Sequence, residues 1–324
     1  MPEMTMAQAL NRALRDALSS DDRVLILGED VGKLGGVFRI TDGLQAEFGE
    51  ERVFDTPLAE SAIAGVSLGL TQAGWKPVCE MQFEAFSYPA LDEVISHIAK
   101  YRYRSKGTTS VPMVMRIPFG GGIGAAEHHS ESPETYYAHT AGLKVVVPSS
   151  PMDAYNLLIR SIQDPDPVIF FEPKSRYWSK EDGELSADGD PIGRARVVTP
   201  GEHVTLIAWG AMVARCREAA EAAGEDGVDV EVLDLRSLVP LDLEALAASV
   251  QKTGRAVVVH EAPMTAGFGA EIVARIMEEC FDHLEAPVLR VTGYDTPYPP
   301  ATLEEHYLPS MNRIMLAMDK VLSH

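Results

Sequence analysis

Three groups of side chains in this sequence could do chemistry: one acid among small residues, acids closing an apolar run, and histidines in a glycine-rich loop. The first is Glu60, in FDTPLAESAIAGVSLGL from Phe54 to Leu70, where a short strand, a turn and a small-residue helix follow one another. Ala62, Ala64, Gly65, Ser67 and Gly69 leave one side of that helix nearly bare, so another backbone or a flat ligand can come close. Thr56 and Pro57 are expected as N-cap and first helical residue. With that cap the reciprocal position is Ala59, so Glu60 lies outside a capping box. A dipole-stabilised acid and a functional carboxylate both remain open.

Glu29 and Asp30 follow VLIL, Val24 to Leu27, the pattern of a buried parallel strand with acids at its carboxyl end. Open parallel sheets bind ligands at that end. Asp30 is read as a solvated acid, and Phe83, Phe86 and Tyr88 would serve equally well as core. In the loop from Gly120 to Glu134, Glu127 stands where a dinucleotide fingerprint needs Gly or Ala, and no GK[ST] occurs. Its glycines are therefore expected to fold the loop tightly beside a ligand rather than to cradle phosphate. His128, His129 and His139 lack the spacing of a metal site. A loop histidine flanked by Glu127, Glu131 and Glu134 should have its cationic form favoured, which suits proton transfer near neutrality.

The elements that must position these residues alternate in type. Thr5 and Gln8 form a capping box for a helix with apolar residues at Met6, Ala9, Leu10, Ala13, Leu14 and Ala17. Strands are expected near Phe54, Lys76, Val111, Leu143 and Val168, with helices over 89–104 and after Ser150-Pro151. From about Lys174 to His203 the chain is rich in charge, Gly and Pro. Beyond it, strands at Val204 to Ala208, Val230 to Leu233, Ala256 to Val259 and Val288 to Val291 alternate with four helices, the last beginning near Pro309. This predicts an α/β protein of two largely parallel-sheet, three-layer domains, residues 1–185 and 203–324, joined by a linker over 186–202.

Composition narrows the classes. The 324 residues are 46% hydrophobic, with no apolar run long enough to span a bilayer. MPEMTMAQAL lacks the basic and apolar regions of a signal peptide, so a cytoplasmic location is expected. Cys79, Cys216 and Cys280 are too scattered for a disulfide framework or zinc knuckle and are expected as buried thiols. With 28 Lys plus Arg against 48 Asp plus Glu, the formal charge of -20 argues against nucleic-acid and anionic-membrane partners. A basic protein partner fits better.

GEDVG at Gly28 to Gly32, FDTPLAE at Phe54 to Glu60, HHSESPE at His128 to Glu134, FFEPK at Phe170 to Lys174 and DTPYP at Asp295 to Pro299 together resemble one family. It is the beta subunit of the thiamine-diphosphate-dependent 2-oxo acid dehydrogenase component. The resemblance implies a transketolase-like pyrimidine-binding domain followed by a transketolase C-terminal-like domain. It implies that Glu60 hydrogen-bonds the aminopyrimidine ring nitrogen, with burial against the cofactor offsetting the helix dipole. Leu58, Gln82 and Phe86 would lie beside that ring. His129 would handle protons or assist acyl transfer to a lipoyl group, and Glu29 would carry proton communication between two active sites. Met113, Ser161, Asp164 and Asp166 match a structural potassium site.

The family holds magnesium and diphosphate through GDG followed by Asn, whereas this chain has only Ala187-Asp188-Gly189-Asp190. That motif belongs to the alpha subunit, so the resemblance implies a two-alpha, two-beta heterotetramer with magnesium held mainly by alpha. It further implies that the acidic C-terminal domain docks the basic subunit-binding domain of a lipoylated acyltransferase core. HHSESPE, YRYRS at Tyr101 to Ser105 and HEAPMTAGFGAEI from His260 look closest to the branched-chain group. A pyruvate or acetoin dehydrogenase beta subunit is the near alternative, and a split transketolase half a more distant one. A non-catalytic assembly protein is opposed by the presence of both Glu60 and His129.

Overall fold

Thr5 caps the first helix, Met6–Ser20, in both directions: its hydroxyl accepts the Gln8 N–H, and the Gln8 side chain accepts the Thr5 N–H at 2.9 Å. The computed structural model describes residues 3–324. Its first half contains strands β1 (Met4–Thr5), β2 (Val24–Gly28), β3 (Val53–Asp55), β4 (Lys76–Glu80), β5 (Val114–Phe119), β6 (Lys144–Val146), β7 (Val168–Pro173) and β8 (Lys180–Glu181). The second half adds β9 (Arg196–Thr199), β10 (Val204–Ala208), β11 (Val230–Asp234), β12 (Ser237–Val239), β13 (Ala256–Pro263) and β14 (Leu289–Gly293).

The larger sheet has the order β12-β6-β7-β5-β4-β2-β3 and the smaller β14-β13-β10-β11-β9, while β1 pairs antiparallel with β8. Both large sheets are parallel except at one edge, β12 on β6 and β9 on β11. The expected α/β architecture is therefore present. Strand residues alternate between two faces as period two requires. Val24, Ile26, Val78, Val114, Val168 and Phe170 pack beneath the helices Met6–Ser20 and Pro151–Gln163. Leu27, Cys79, Met115, Ile117, Ile169 and Phe171 face the opposite layer, which is continuous with Ile207, Leu233, Val258 and Ile272 of the smaller sheet and its helices. One apolar core thus spans both halves.

Three features depart from expectation. Arg196–Thr199, inside the expected linker, is the edge strand β9, with the chain folded back along β11. Ser237–Val239, from the second half, crosses to become the edge of the first sheet. Arg236, fully buried at φ 55°, sits at that crossing and donates to Asp153 Oδ1 at 3.0 Å, to Asn156 Oδ1 at 3.2 Å and to the Arg194 carbonyl at 2.9 Å. The helix expected over 89–104 begins earlier, as a 3₁₀ turn, Glu84–Ala90, followed by a π turn, Glu93–Ile98, and an α segment, Ala99–Arg104. Pro89 lies within the 3₁₀ turn, where the tighter geometry accommodates its ring.

The three cysteines are free and buried. Among the described residues no helix is long and apolar enough to cross a membrane. Inside the first sheet lies a buried ion triad. The Arg116 guanidinium on β5 grips Glu172 of β7 through two hydrogen bonds of 2.6 and 2.9 Å and binds Glu80 of β4 on its other side. Tyr177 donates to the same Glu172 at 2.7 Å.

Candidate active site

Glu60 opens the helix Glu60–Gln72, and no side chain caps it, the N-cap being Ala59. Thr56 and Pro57 are not the cap and first turn. The Thr56 N–H donates to the Gly28 carbonyl at 2.9 Å, which prolongs the β2–β3 pairing and keeps the following residues extended. The Thr56 hydroxyl is left buried with no partner among the described residues. Leu58, in the same turn, is 79% exposed. The bare helix face meets no other part of the chain at Gly69, and at Gly65 only Glu93 comes within van der Waals range.

Glu29 is buried just beyond the end of β2. Burial raises its pKa, and the charge of Glu60 and then that of Asp30 raise it further. Asp30 is exposed, as expected of a solvated acid, and its Oδ2 accepts from Gln82 Nε2 at 2.9 Å. The 3₁₀ turn that carries Phe86 packs against the helix Glu60–Gln72, with Ser61 Oγ donating to the Pro89 carbonyl at 2.5 Å. The His129 ring stands edge-on to Phe83 at 4.1 Å and to Phe86 at 5.3 Å between centroids. Glu29, Glu60, Gln82, Phe86 and His129 thus lie on the segments that follow the carboxyl ends of β2, β3, β4 and β5.

His129 differs from expectation in its charge. Burial lowers its pKa first, and the neighbouring His128 and then Lys174 lower it further, with Glu127 opposing only weakly. It is a neutral imidazole near neutrality, able both to accept and to donate a proton. Beneath it, Lys174 lies 5.4 Å from the Phe83 ring centroid and is ion-paired with Glu84, both fully buried. Burial pushes Glu84 up to about 7, against the pull of Lys174 and the Glu131 N–H. Sequence reasoning did not single out this pair; FFEPK contained its lysine without a visible partner.

The glycine loop folds tightly against carboxylates of the protein itself. Its neck is closed by Gly120 N–H to the Glu131 carbonyl at 2.9 Å. Gly121 N–H donates to Glu261 at 2.8 Å, and Gly122 and Gly124 N–H donate to Glu304 at 2.9 and 3.0 Å. A Cβ on Gly121 would stand 1.9 Å from the Tyr298 hydroxyl, so only glycine fits there. Glu304 carried no signal in the sequence, and Glu261 and Tyr298 lay within HEAPM and DTPYP without a visible partner.

Glu134, at the end of this loop, accepts the Trp209 indole N–H at 3.3 Å, and burial pushes its carboxyl from 4.5 up to about 8. A raised folded pKa means that folding takes up a proton, so this group's contribution is full at acid pH and is lost as pH rises through about 8. Glu134→Gln keeps the shape without the titration. It should gain stability over the parent progressively between about pH 5 and pH 8. Urea midpoints at both pH values check this, and an equal difference at each would contradict a neutral Glu134.

The residues expected to hold potassium do not form an open cage of side chains. Lys144 Nζ lies 2.7 Å from both Asp164 oxygens, Arg102 pairs with Asp166, and Ser161 Oγ donates to the Leu157 carbonyl at 2.6 Å. The Met113 carbonyl accepts the Val168 N–H at 3.0 Å. Two resident cations already neutralise the carboxylates. Asp190 is likewise ion-paired, with Arg196 at 2.8 Å.

Residues 2–179 match the transketolase pyrimidine-binding domain family and residues 193–314 the transketolase C-terminal domain family. The chain is 54% identical over 320 residues to the 3-methyl-2-oxobutanoate dehydrogenase subunit beta of Mycobacterium tuberculosis, covering 98% of this chain and 92% of that one. The chain belongs to the 2-oxo acid dehydrogenase beta-subunit family. Two further beta subunits are similar to it. Identity is 52% over 321 residues with the pyruvate dehydrogenase E1 component subunit beta of Leifsonia xyli, covering 99% and 95% of the two chains. It is 48% over 336 residues with the 2-oxoisovalerate dehydrogenase subunit beta of Pseudomonas aeruginosa, covering 98% and 95%. Among solved structures, a split-gene transketolase, described as an inactive beta4 tetramer, superposes with a TM-score of 0.82 at 24% identity, covering 99% and 98% of the chains. That last likeness establishes the fold. This beta-subunit family is of the thiamine-diphosphate-dependent, transketolase-like type.

Proposed function

We propose that this chain is the beta subunit of a branched-chain 2-oxo acid dehydrogenase, acting on 3-methyl-2-oxobutanoate and its homologues. In this reaction the acid loses carbon dioxide and its acyl group passes to a lipoyl disulfide, leaving an acyl thioester and one free thiol. The observation that carries the reading is the nearness of Glu29 to Glu60 and of Phe86 to His129, each on a segment that follows a strand of the first sheet. Two of the similar beta subunits named above are named for branched-chain acids, which favours that substrate class over pyruvate. The margin over the pyruvate-named relative is narrow, 54% against 52% identity, so the substrate is decided by assay.

The residues present fit a thiamine ring. Glu60 offers a half-exposed carboxylate to a ring nitrogen, the Phe86 edge offers an apolar wall, and the Thr56 hydroxyl is buried without a partner in the turn that leads to Glu60. Thiamine diphosphate supplies, when bound, the nucleophilic carbon and the electron sink for decarboxylation. Glu60, at the start of its helix, would hold a proton toward the ring nitrogen of the bound cofactor. Phe83 and Phe86 exclude water on one side of His129. His129, neutral, moves a proton between the reacting oxygen and solvent. Glu29, raised by burial and by Glu60, takes up a proton more readily than a free acid would.

The missing GDG and Asn support an alpha chain as the holder of magnesium and diphosphate in a two-alpha, two-beta heterotetramer. The bare face of Glu60–Gln72 and the exposed Leu58 suit that contact. The lipoylated acyltransferase core, through a basic subunit-binding domain, remains the partner that the charge of -20 favours. For potassium, only backbone carbonyls could serve, since the acidic side chains are engaged.

The deciding experiment is reconstitution with the alpha chain. The beta chain alone, given thiamine diphosphate and magnesium, should show no turnover with an artificial electron acceptor. The pair should turn over 3-methyl-2-oxobutanoate faster than pyruvate. Full activity of the single chain would refute the shared site, and a preference for pyruvate would move the substrate assignment.

A further inference from the structure

We propose that Glu304 and Glu261, both from the second half of the chain, are positioning residues for His129. They hold the 120–131 loop closed by accepting its backbone N–H groups. The inference rests on the assignment of His129 to the active site.

The loop is anchored on two sides. On the first-domain side, Glu131 N–H donates to Glu84 Oε1 at 2.8 Å, and the Tyr88 hydroxyl donates to Glu131 Oε2 at 2.5 Å. On the other side stand the Gly121 bond to Glu261 and the Gly122 and Gly124 bonds to Glu304. Tyr298 donates to Glu304 Oε1 at 2.7 Å and fixes the carboxylate that receives the loop. A run of converging backbone N–H groups is the arrangement that ordinarily receives a bound anion. Here the acceptors are two carboxyl side chains of the same protein.

His129 lies between the anchors, on the short turn Glu127–His129. That turn is closed only by local bonds, His129 N–H to the Ala126 carbonyl at 2.9 Å and Ser130 N–H to the Glu127 carbonyl at 3.0 Å. Its ring is met by Phe83, Phe86 and His128. Aromatic edges guide a ring without fixing its depth, so the backbone path of the loop sets where the imidazole sits. Glu261 and Glu304 between them accept the N–H groups of Gly121, Gly122 and Gly124, so they hold one whole side of that path. The second half of the chain thereby reaches the active site through side chains that hold the main chain of the loop.

The test uses the alpha–beta assembly, with hydrogen exchange of the 120–131 loop and steady-state kinetics measured on the same samples. Glu304→Ala should speed exchange in the loop by about tenfold or more while leaving the sheets protected. It should lower kcat for lipoyl acylation by about tenfold while moving the KM for the 2-oxo acid less than about twofold. Glu304→Gln retains an acceptor oxygen and should restore most of both. Unchanged loop exchange in Glu304→Ala overturns the proposal. Faster loop exchange with normal kcat also overturns it, provided His129→Ala has lost activity. Normal turnover by His129→Ala shows instead that the assignment of His129 fails, and the proposal falls with it. Should Glu304→Ala open the whole chain, Tyr298→Phe carries the same test, and the absence of a loop-confined change in both overturns the clamp.

Discussion

Glu60→Gln is expected to lower thiamine-diphosphate-dependent decarboxylation by about a thousandfold in the assembled enzyme, within the range of a lost proton-transfer group. Gln keeps the size and one acceptor oxygen of Glu, but it cannot hold a proton in exchange with a ring nitrogen. The change is unusually clean because Glu60 is only half-buried and begins its helix without a side-chain cap. No internal ion pair is broken. Circular dichroism and the mass of the alpha–beta assembly should match the parent, and turnover with an artificial electron acceptor reads the loss. Near-normal turnover would remove Glu60 from the reaction. Glu29 supplies an internal control: with Glu60 neutral, one of the causes that raise the Glu29 pKa disappears.

The largest effect on stability is expected from Arg116→Met. Burial alone would depress the Arg116 guanidinium, and the charges of Glu172 and Glu80 more than reverse this. Removing the cation leaves two carboxylates in the sheet interior, a change that costs about 3–5 kcal/mol where one partner of a buried pair is deleted. The sign of the pH dependence follows. Glu80 already has a pKa raised by burial, and without Arg116 both acids must take up protons to stay inside. The loss should therefore be smaller near pH 5 than near pH 8, as followed by urea unfolding through tryptophan fluorescence. Adding Glu80→Gln and Glu172→Gln should recover much of it, since neutral amides tolerate burial better than unpaired charges. A loss below about 1 kcal/mol at pH 8 would mean that the triad carries no more than a surface pair.

The sequence made the strands legible wherever apolar runs were continuous, and the Thr5–Gln8 box located a helix end to the residue. It also brought forward Glu60, Glu29 and the histidine loop, because acids at strand ends and glycine runs break local patterns. It failed where partners are distant. Arg116 meets Glu80 and Glu172 across 36 and 56 positions, and Glu304 meets Gly122 across 182. No periodicity reports such contacts. The Thr56 cap failed for the same reason, its N–H being taken by Gly28 of a neighbouring strand. The charge of His129 was misjudged because the nearby glutamates were visible in the sequence, while burial and the approach of Lys174 appear only in three dimensions. Helix boundaries drifted where Pro89 permitted a 3₁₀ start.

The crossing of Ser237–Val239 onto β6 has a consequence for how the protein is made. A ribosome releases the first sheet long before residue 239 emerges, so the newly made half carries β6 as an open edge, with unpaired N–H and carbonyl groups. That edge, Lys144–Val146, is two valines behind one lysine, with little charge to discourage pairing with another nascent chain. The final strand of the sheet is therefore delivered by the domain that is synthesised last. Completion of the first domain and arrival of the second are one event during biosynthesis, and the interval before it is when the chain is most exposed to misassembly.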